Sequence, residues 1–271
     1  MVVNATKVKL TEGGAVWGTF IYLSDPAVVE IVGQAGADFV LIDTEHMWRD
    51  GAEVANLIRA AENARTTPIV RVGENSESAI LKALEAGAEG IVIPFVQSRE
   101  DVERAKRATK YPPEGGRGAC TYTRATRWGS MSSGFRSYSA NANDNILLIG
   151  LIENVTGVDN IDEIVAAGLD VVFVGRRDLA SSLGVEDLSD DKVCQAVDAV
   201  VAAAARSDGS CAFGIVSYDA DESELWGRRG ARFICHSLDV AVLASVYRRV
   251  GLAMADGNAV RIDDAAGTDA S

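Results

Sequence analysis

The chain has 271 residues, of which 48% are hydrophobic and 24% charged, as is typical of a folded domain with a sizeable core. Its 39 acids and 26 bases give a formal net charge of −13, which disfavours nucleic acid and anionic membranes as partners. Apolar runs such as "ILLIGLI" are far shorter than the roughly 20 residues of a membrane span, and "MVVNATKVKL" lacks a signal-peptide core. We therefore expect a cytoplasmic protein.

The four cysteines, Cys120, Cys194, Cys211 and Cys235, are widely spaced and form no C-x-x-C pair. Structural zinc sites and disulfide frameworks normally show clustered or paired cysteines. The spacing therefore indicates reduced thiols.

Short apolar runs rich in β-branched residues recur along the chain, and helical patterns follow them. Near-continuous apolar runs are typical of parallel strands that are buried on both faces. The predicted strands span residues 15–23, 39–43, 68–72, 90–96, 146–153, 171–175, 212–217 and 232–237. Helical periodicity is clearest over residues 50–64, 76–88 and 98–113.

Eight strand–helix units predict a (β/α)8 TIM barrel, a single domain over residues 1–253. The alternative is an open doubly wound sheet, which is less favoured because no G-x-G-x-x-G follows the first strand. Residues 114–145 break the pattern, and an irregular segment of this length inside a domain predicts a functional loop. The small, polar residues 254–271 are predicted to be a disordered tail.

Ionisable residues follow several of the predicted strands. Active sites of TIM barrels lie at the C-terminal ends of the strands, so these side chains should meet at one rim. They are Asp43, Glu45 and His46 after the second strand, Arg71 in the third, Glu153 after the fifth, and Arg176, Arg177 and Asp178 after the sixth.

Two carboxylates on neighbouring strands, Glu153 and Asp178, could hold a divalent cation, with water completing the coordination. Carboxylate oxygens suit Mg²⁺ or Mn²⁺. The alternative is structural, with Asp178 as the N-cap of the helix "DLASSL" and Glu153 in an ion pair.

Arg71 lies in an apolar strand, and a buried arginine requires an anionic partner. That partner is either a substrate carboxylate or enolate oxygen at the mouth, or an acid on a neighbouring strand. His46 is the candidate general base, with Asp43 or another acid orienting its ring. The alternative for His46 is a hydrogen-bonded loop histidine.

Several motifs together resemble the HpcH/HpaI aldolase family of class II, metal-dependent pyruvate aldolases. The motifs are "GADFVLIDTEH", "PIVRV", "LEAGAEGIVIPFVQSREDVERAKRATKYPPEGGRG", "TRATRW", "LIEN", "NIDEIVAAGLDVVFVG" and "RDLASSLG", in order over roughly residues 5–250. The resemblance implies a (β/α)8 barrel whose last helix is exchanged between subunits, in a homo-oligomer that is a hexamer or a trimer.

The resemblance also implies roles for individual residues. Glu153 and Asp178 would bind the cation, Mg²⁺ or Mn²⁺, with Co²⁺ or Zn²⁺ as further candidates. Arg71 would contact the pyruvate oxygen, and His46 would be the acid/base, directly or through a metal-bound water. Asp43 matches the acid that precedes this histidine. Glu85 takes the place of the aspartate in the family's "LDxGA" motif, which pairs with the histidine at a subunit interface.

The chain departs from the family pattern beside the metal site. It has "GRRDL" where the family has "GPADL", so Arg176 and Arg177 follow Gly175 at the pocket for the pyruvate carboxylate. Leu151 replaces the glutamine of the usual "QIE". Either the two arginines point outward, or they adapt the pocket to a more anionic substrate.

The resemblance implies reversible aldol cleavage of a 4-hydroxy-2-oxo acid to pyruvate and an aldehyde through a metal-stabilised enolate. Alternatives are a lyase or decarboxylase of the same fold that acts on a more anionic 2-oxo acid or an acyl-CoA ester. A barrel that binds an acidic metabolite without turnover is a further alternative.

Overall fold

A computed structural model describes residues 3–130 and 134–255 of the chain. Eight strands form a closed, all-parallel barrel in the order β1 to β8, which confirms the predicted (β/α)8 fold. The strands are β1 (Val16–Ile21), β2 (Phe39–Asp43), β3 (Thr67–Arg71), β4 (Gly90–Ile93), β5 (Leu147–Ile152), β6 (Val171–Val174), β7 (Ala212–Ser217) and β8 (Phe233–Leu238).

Helices connect the strands and cover the outside of the barrel. They are α1 (Ala5–Thr11), α2 (Pro26–Gln34), α3 (Gly51–Asn63), α4 (Glu77–Glu85), α5 (Arg99–Thr109), α6 (Gly134–Asn145), α7 (Val155–Asp159), α8 (Ile161–Ala166), α9 (Arg176–Ser182), α10 (Asp191–Ala205), α11 (Ala220–Arg228) and α12 (Asp239–Ala255). Among the residues that the structure describes, no helix is long and apolar enough to cross a membrane. All four cysteines are free, as the spacing predicts.

Two apolar layers fill the fold, and successive strand residues alternate between them. Outward-facing strand residues pack under the helices in the larger cluster, whereas inward-facing residues fill the barrel. Phe39 and Phe233 stack inside the barrel with ring centroids 4.1 Å apart. The stack passes close to β1, where a Cβ on Gly18 would lie 2.1 Å from the Phe39 carbonyl oxygen, so only glycine fits there.

Two expectations about local structure need correction. The fourth strand ends at Ile93 rather than continuing to residue 96, because Pro94 has no N–H to donate and Phe95 has a positive φ of 50°. The segment 114–145 is not irregular throughout, since its last part is helix α6. Phe135 and Tyr138, three residues apart on α6, both pack against Tyr111 and so bury one face of this helix.

The last helix lies against β1 and β8, and its outer surface is apolar and exposed. The exposed side chains include Val242, Leu243, Val246, Tyr247 and Val250. The predicted disordered tail begins within this helix at residue 254, and the rest of it lies outside the described residues.

Candidate active site

The inward rows of several strands end in polar residues at the C-terminal mouth of the barrel. On β2, Phe39 and Leu41 face inward and Asp43 is the next residue of that row. The same alternation leads from Ile69 to Arg71 on β3. On β5 it leads through Leu147, Ile149 and Leu151 to Glu153. The period of two therefore brings three of the predicted site residues to one layer at the mouth.

Asp43 and Arg71 are partners in the register of β2 and β3, and their side chains form a buried ion pair. Arg71 Nε donates to Asp43 Oδ1 at 2.8 Å. Burial alone would raise the pKa of Asp43, but the hydrogen bond and charge of Arg71 hold it below its usual value. Burial alone would lower the pKa of Arg71, but the ion pair with Asp43 outweighs burial and raises this pKa above its usual value. Both groups are therefore charged at neutral pH.

Glu45 and His46 stand beside this pair, in a turn that Asp43 organises. Asp43 accepts the backbone N–H groups of Glu45 (3.0 Å) and His46 (3.3 Å). Glu45 Oε2 lies 3.0 Å from Arg71 Nη1 and 3.9 Å from His46 Nε2. The acid that faces the imidazole is thus Glu45, whereas Asp43 positions the backbone. The His46 side chain is 54% exposed, which leaves it open to a substrate at the mouth.

Glu153 is almost fully buried beneath the mouth. Its Oε1 accepts the backbone N–H of Phe95 at 2.8 Å, in the loop after β4 where Phe95 has a positive φ. Burial raises the pKa of Glu153 to about 7, with further increases from the charges of Glu45 and Asp178. Three carboxylates therefore lie close enough to repel one another.

Asp178 lies in the first turn of α9, which begins at Arg176 after Gly175, so the structural alternative in which Asp178 is the N-cap is wrong. Gly175 borders the Glu153 carboxylate, since a Cβ on it would lie 3.1 Å from Glu153 Oε2. Within residues 3–130 and 134–255, no three His, Cys, Asp or Glu side chains are arranged to ligate one ion. Glu153 and Asp178 nevertheless fit a divalent cation, because they are hard oxygen donors in a region of unbalanced negative charge.

Burial also raises the pKa of Glu45, and the Asp43 and Asp178 charges add to this effect while Arg71 and His46 oppose it. The guanidinium of Arg71 therefore does not fully offset burial and the neighbouring acids at Glu45. A bound cation would supply the missing positive charge.

Glu85 lies far from His46 within one chain. It is the last residue of α4, and barrel helices run opposite to the strands, so it lies at the N-terminal end of the barrel. There Glu85 pairs with the buried Arg117, whose Nη2 lies 3.2 Å from Glu85 Oε1. Only a second subunit could bring Glu85 to the mouth, as the resemblance implies.

The two arginines of "GRRDL" have partners outside the mouth. Arg176 pairs with Glu222, donates to the Val216 carbonyl oxygen at 2.9 Å, and stacks over Trp226. Trp226 belongs to the outer layer, between the strands and the helices. Arg177 donates to the carbonyl oxygen of Glu186 at 3.2 Å. The two guanidinium groups thus point outward and do not line the pocket.

Leu151 belongs to the inward row of β5 directly below Glu153, and the Cβ position of Gly175 lies 3.5 Å from its side chain. It therefore forms part of the apolar floor of the site.

Sequence reasoning did not assign the ion-pair role of Glu45 or the hydrogen bond from Phe95. Glu45 belongs to the "DTEH" stretch, so its position was available, but its contact with Arg71 depends on the turn that Asp43 stabilises. The Phe95 contact depends on backbone conformation, which the residue type does not encode.

A cavity of about 770 Å³ elsewhere in the fold does not coincide with this chemistry. It lies at the N-terminal end of the barrel, where Asn4, Thr67, Glu89 and Ile146 contribute to its wall. The mouth, with its cluster of charges, remains the candidate active site.

Comparison with known proteins shows the family to which the chain belongs. The family model for HpcH/HpaI aldolase/citrate lyase matches residues 17–245. The 5-keto-4-deoxy-D-glucarate aldolase of Shigella dysenteriae serotype 1 is 33% identical over 250 residues, 91% of this chain and 95% of the relative.

Two solved structures show the same architecture. An HpcH/HpaI aldolase/citrate lyase family protein from Burkholderia cenocepacia J2315 matches with a TM-score of 0.87 and 31% identity, covering 93% of this chain and 99% of that one. The HpcH/HpaI aldolase from Desulfitobacterium hafniense DCB-2 matches with a TM-score of 0.85 and 32% identity, covering 92% and 96%. The chain therefore belongs to the HpcH/HpaI aldolase/citrate lyase family, and it is a carbon–carbon lyase.

Proposed function

We propose that the enzyme catalyses the reversible aldol cleavage of a 4-hydroxy-2-oxo acid to pyruvate and an aldehyde, with a divalent cation as cofactor. The observation that carries the proposal is the group of three acids, Glu45, Glu153 and Asp178, beside the cation Arg71. Such a group favours both a bound metal ion and a reaction that develops negative charge beside Arg71.

Glu153 and Asp178 would hold the cation, for which Mg²⁺ and Mn²⁺ are the best candidates. When bound there, the cation would supply Lewis acidity to the oxygens of the 2-oxo acid. The hydrogen bond from Phe95 fixes one oxygen of Glu153 and leaves the other oxygen for this role.

His46 would act on the proton of the C4 hydroxyl. Its exposed ring can accept this proton, and Glu45, 3.9 Å from Nε2, would favour the cationic ring that results. Cleavage of the C3–C4 bond then releases the aldehyde and leaves the enolate of pyruvate. Arg71, fixed by Asp43, would hold the enolate oxygen until C3 is protonated.

The experiment that tests this proposal is the exchange of the methyl protons of pyruvate in D₂O, followed by NMR. Pyruvate alone suffices, so the aldehyde need not be known. We expect exchange with Mn²⁺ or Mg²⁺, none with EDTA, and a loss of at least about 100-fold in His46→Ala and Arg71→Lys. Glu186→Gln, an exposed acid near α9, is the matched control and should exchange like the wild type. Absence of exchange with every divalent cation would overturn the proposal.

The substrate class is narrower if the chain resembles its relatives in function as well as sequence. One of them is named a 5-keto-4-deoxy-D-glucarate aldolase, which makes polyhydroxylated 2-oxo diacids the first substrates to assay. The alternative of a more anionic substrate bound by Arg176 and Arg177 has no support from their contacts, since both are engaged elsewhere.

We propose further that the enzyme is a homo-oligomer in which α12 docks on a second copy. The exposed apolar side chains of α12 would be costly to leave in water, and a second chain provides a complementary apolar surface. The same assembly could bring Glu85 of one subunit near His46 of another, as the family resemblance implies.

A further inference from the structure

Tyr22 lies at the mouth of the barrel, in the same layer as the proposed catalytic groups. On β1 the inward row runs through Gly18 and Phe20, and Tyr22 is its next position. The Tyr22 side chain packs against the cluster that fills the barrel, with its ring edge-on to Phe20 at 6.3 Å. Phe20 in turn lies under the Arg71 guanidinium, 4.8 Å from its ring centroid. Tyr22, Phe20 and Arg71 thus form one continuous wall of the mouth.

Hydrogen bonds to Asp239 fix the backbone at Tyr22, directly after β1. The nearly buried carboxylate of Asp239 accepts the N–H of Tyr22 at 3.0 and 3.1 Å and the N–H of Leu23 at 3.0 Å. Two backbone donors on one carboxylate leave the Cα of Tyr22 little freedom. The phenol is therefore held over the mouth by its own backbone rather than by a mobile loop.

The phenol is a neutral donor in this environment. Burial, and then the negative charge of Asp43, raise the pKa of Tyr22 to about 12, although Arg71 opposes the shift. At neutral pH the hydroxyl keeps its proton, and it stands close to a carboxylate and a guanidinium. Apart from Arg71, the mouth residues described above are mainly acids, so a neutral O–H adds a donor that an anionic substrate requires.

We propose that Tyr22 is a specificity-determining residue, whose hydroxyl donates a hydrogen bond to a carboxylate oxygen of the 2-oxo acid, beside the enolate oxygen that Arg71 contacts. This inference rests on the proposed function, since it takes pyruvate as the ligand at the mouth. The two donors would approach the ligand from β1 and β3, the strands on either side of β2, and would select for an oxygen-rich, anionic end group.

The test is the affinity for pyruvate, measured by calorimetry with Mn²⁺ present, in the wild type and in Tyr22→Phe. Loss of a hydrogen bond to a charged group should raise Kd about tenfold or more. The matched control is Tyr218→Phe, which removes a hydroxyl after β7 at the same rim, where the ring lies beside Arg176. Its Kd should stay within about twofold of the wild type.

A second variant, Tyr22→Leu, keeps an apolar side chain on the wall and should show the same weaker binding. In both Tyr22 variants the rate of proton exchange at saturating pyruvate should remain within about threefold of the wild type, because the proposal assigns Tyr22 to binding. A purely structural role would instead lower the melting temperature and reduce the rate at saturation.

An unchanged Kd in a folded Tyr22→Phe overturns the inference while leaving the proposed function intact. If the wild type neither binds pyruvate nor exchanges its protons, the proposed function fails and the inference fails with it.

Discussion

Asp43 and Arg71 occupy paired register positions on β2 and β3, and their ion pair at 2.8 Å is buried on both sides. A buried charge without a partner at either position would destabilise the folded state, and the ion pair offsets this desolvation cost for both residues. The pair also connects structure to function, because the same aspartate organises the turn that carries Glu45 and His46.

We expect Asp43→Asn to lower the free energy of unfolding by about 2–4 kcal/mol, since it leaves Arg71 with Glu45 as its remaining acidic partner. Urea denaturation measures this change. Glu103→Gln, which removes the exposed ion pair between Arg99 and Glu103, should cost less than about 1 kcal/mol. Equal losses in the two variants would show that burial of the Asp43 pair contributes nothing.

In the absence of substrate, the binding of Mn²⁺ to the enzyme should depend on Glu153 and Asp178. The signal of free Mn²⁺ in electron paramagnetic resonance reports its dissociation constant directly. Glu153→Gln and Asp178→Asn should each raise this constant at least about 100-fold, because each removes a charged oxygen ligand. The exposed-acid variant Glu186→Gln provides the baseline. Tight Mn²⁺ binding in both ligand variants would place the cation elsewhere.

Neither arginine of α9 should affect pyruvate affinity, and only the buried Arg176 should affect stability. Arg176→Met removes the partner of Glu222 and of the Val216 carbonyl oxygen, and should lower the free energy of unfolding by about 1–3 kcal/mol. Arg177→Met changes an exposed side chain and should stay within about 0.5 kcal/mol of the wild type. A large rise in the Kd for pyruvate in either variant would mean that its guanidinium reaches the mouth.

Glu89 should make stability depend on pH. Burial, and then the charge of Glu62, raise the pKa of Glu89 from 4.5 to about 7. The folded chain therefore binds this proton more tightly than the unfolded chain. The resulting stabilisation is fully present below about pH 4.5 and is lost as the pH rises through about 7.

Relative to Glu89→Gln, the wild type should lose on the order of 2 kcal/mol of unfolding free energy between about pH 5 and pH 8. Denaturation at the two pH values measures the difference. Glu12→Gln, at the exposed end of α1, should follow the wild type. Parallel pH dependence of wild type and Glu89→Gln would contradict the raised pKa.

Assembly through α12 is expected to be sensitive to charge on its apolar side. Val246→Glu together with Val250→Glu should shift the mass measured by light scattering toward that of the single chain, 28.6 kDa. Val8→Glu introduces the same charge at an exposed position on α1 and should leave the mass unchanged. A wild type that is monomeric at all concentrations would overturn the proposed docking.

The barrel could be predicted because its buried strands alternate with amphipathic helices, and both patterns depend on local side-chain chemistry. The eight predicted strands all occur, with ends shifted where backbone geometry decides, as at Pro94 and Phe95. The meeting of Asp43, Arg71 and Glu153 also follows from counting inward positions, and the same count leads to Tyr22. By contrast, the partners of Arg176 and Glu85 come from α11 and from the segment after α5, and no local pattern encodes those contacts.

Asp239 is shared by two parts of the molecule. Its carboxylate accepts the N–H of Val240 at the start of α12 as well as those of Tyr22 and Leu23. The Asp239 carboxylate therefore links the start of the last helix to the wall of the mouth by hydrogen bonds. If α12 is the docking helix, dilution of the enzyme into monomers should weaken pyruvate binding, and Asp239→Asn should weaken that dependence on concentration. Pyruvate binding and subunit association would then be thermodynamically coupled, so that each strengthens the other.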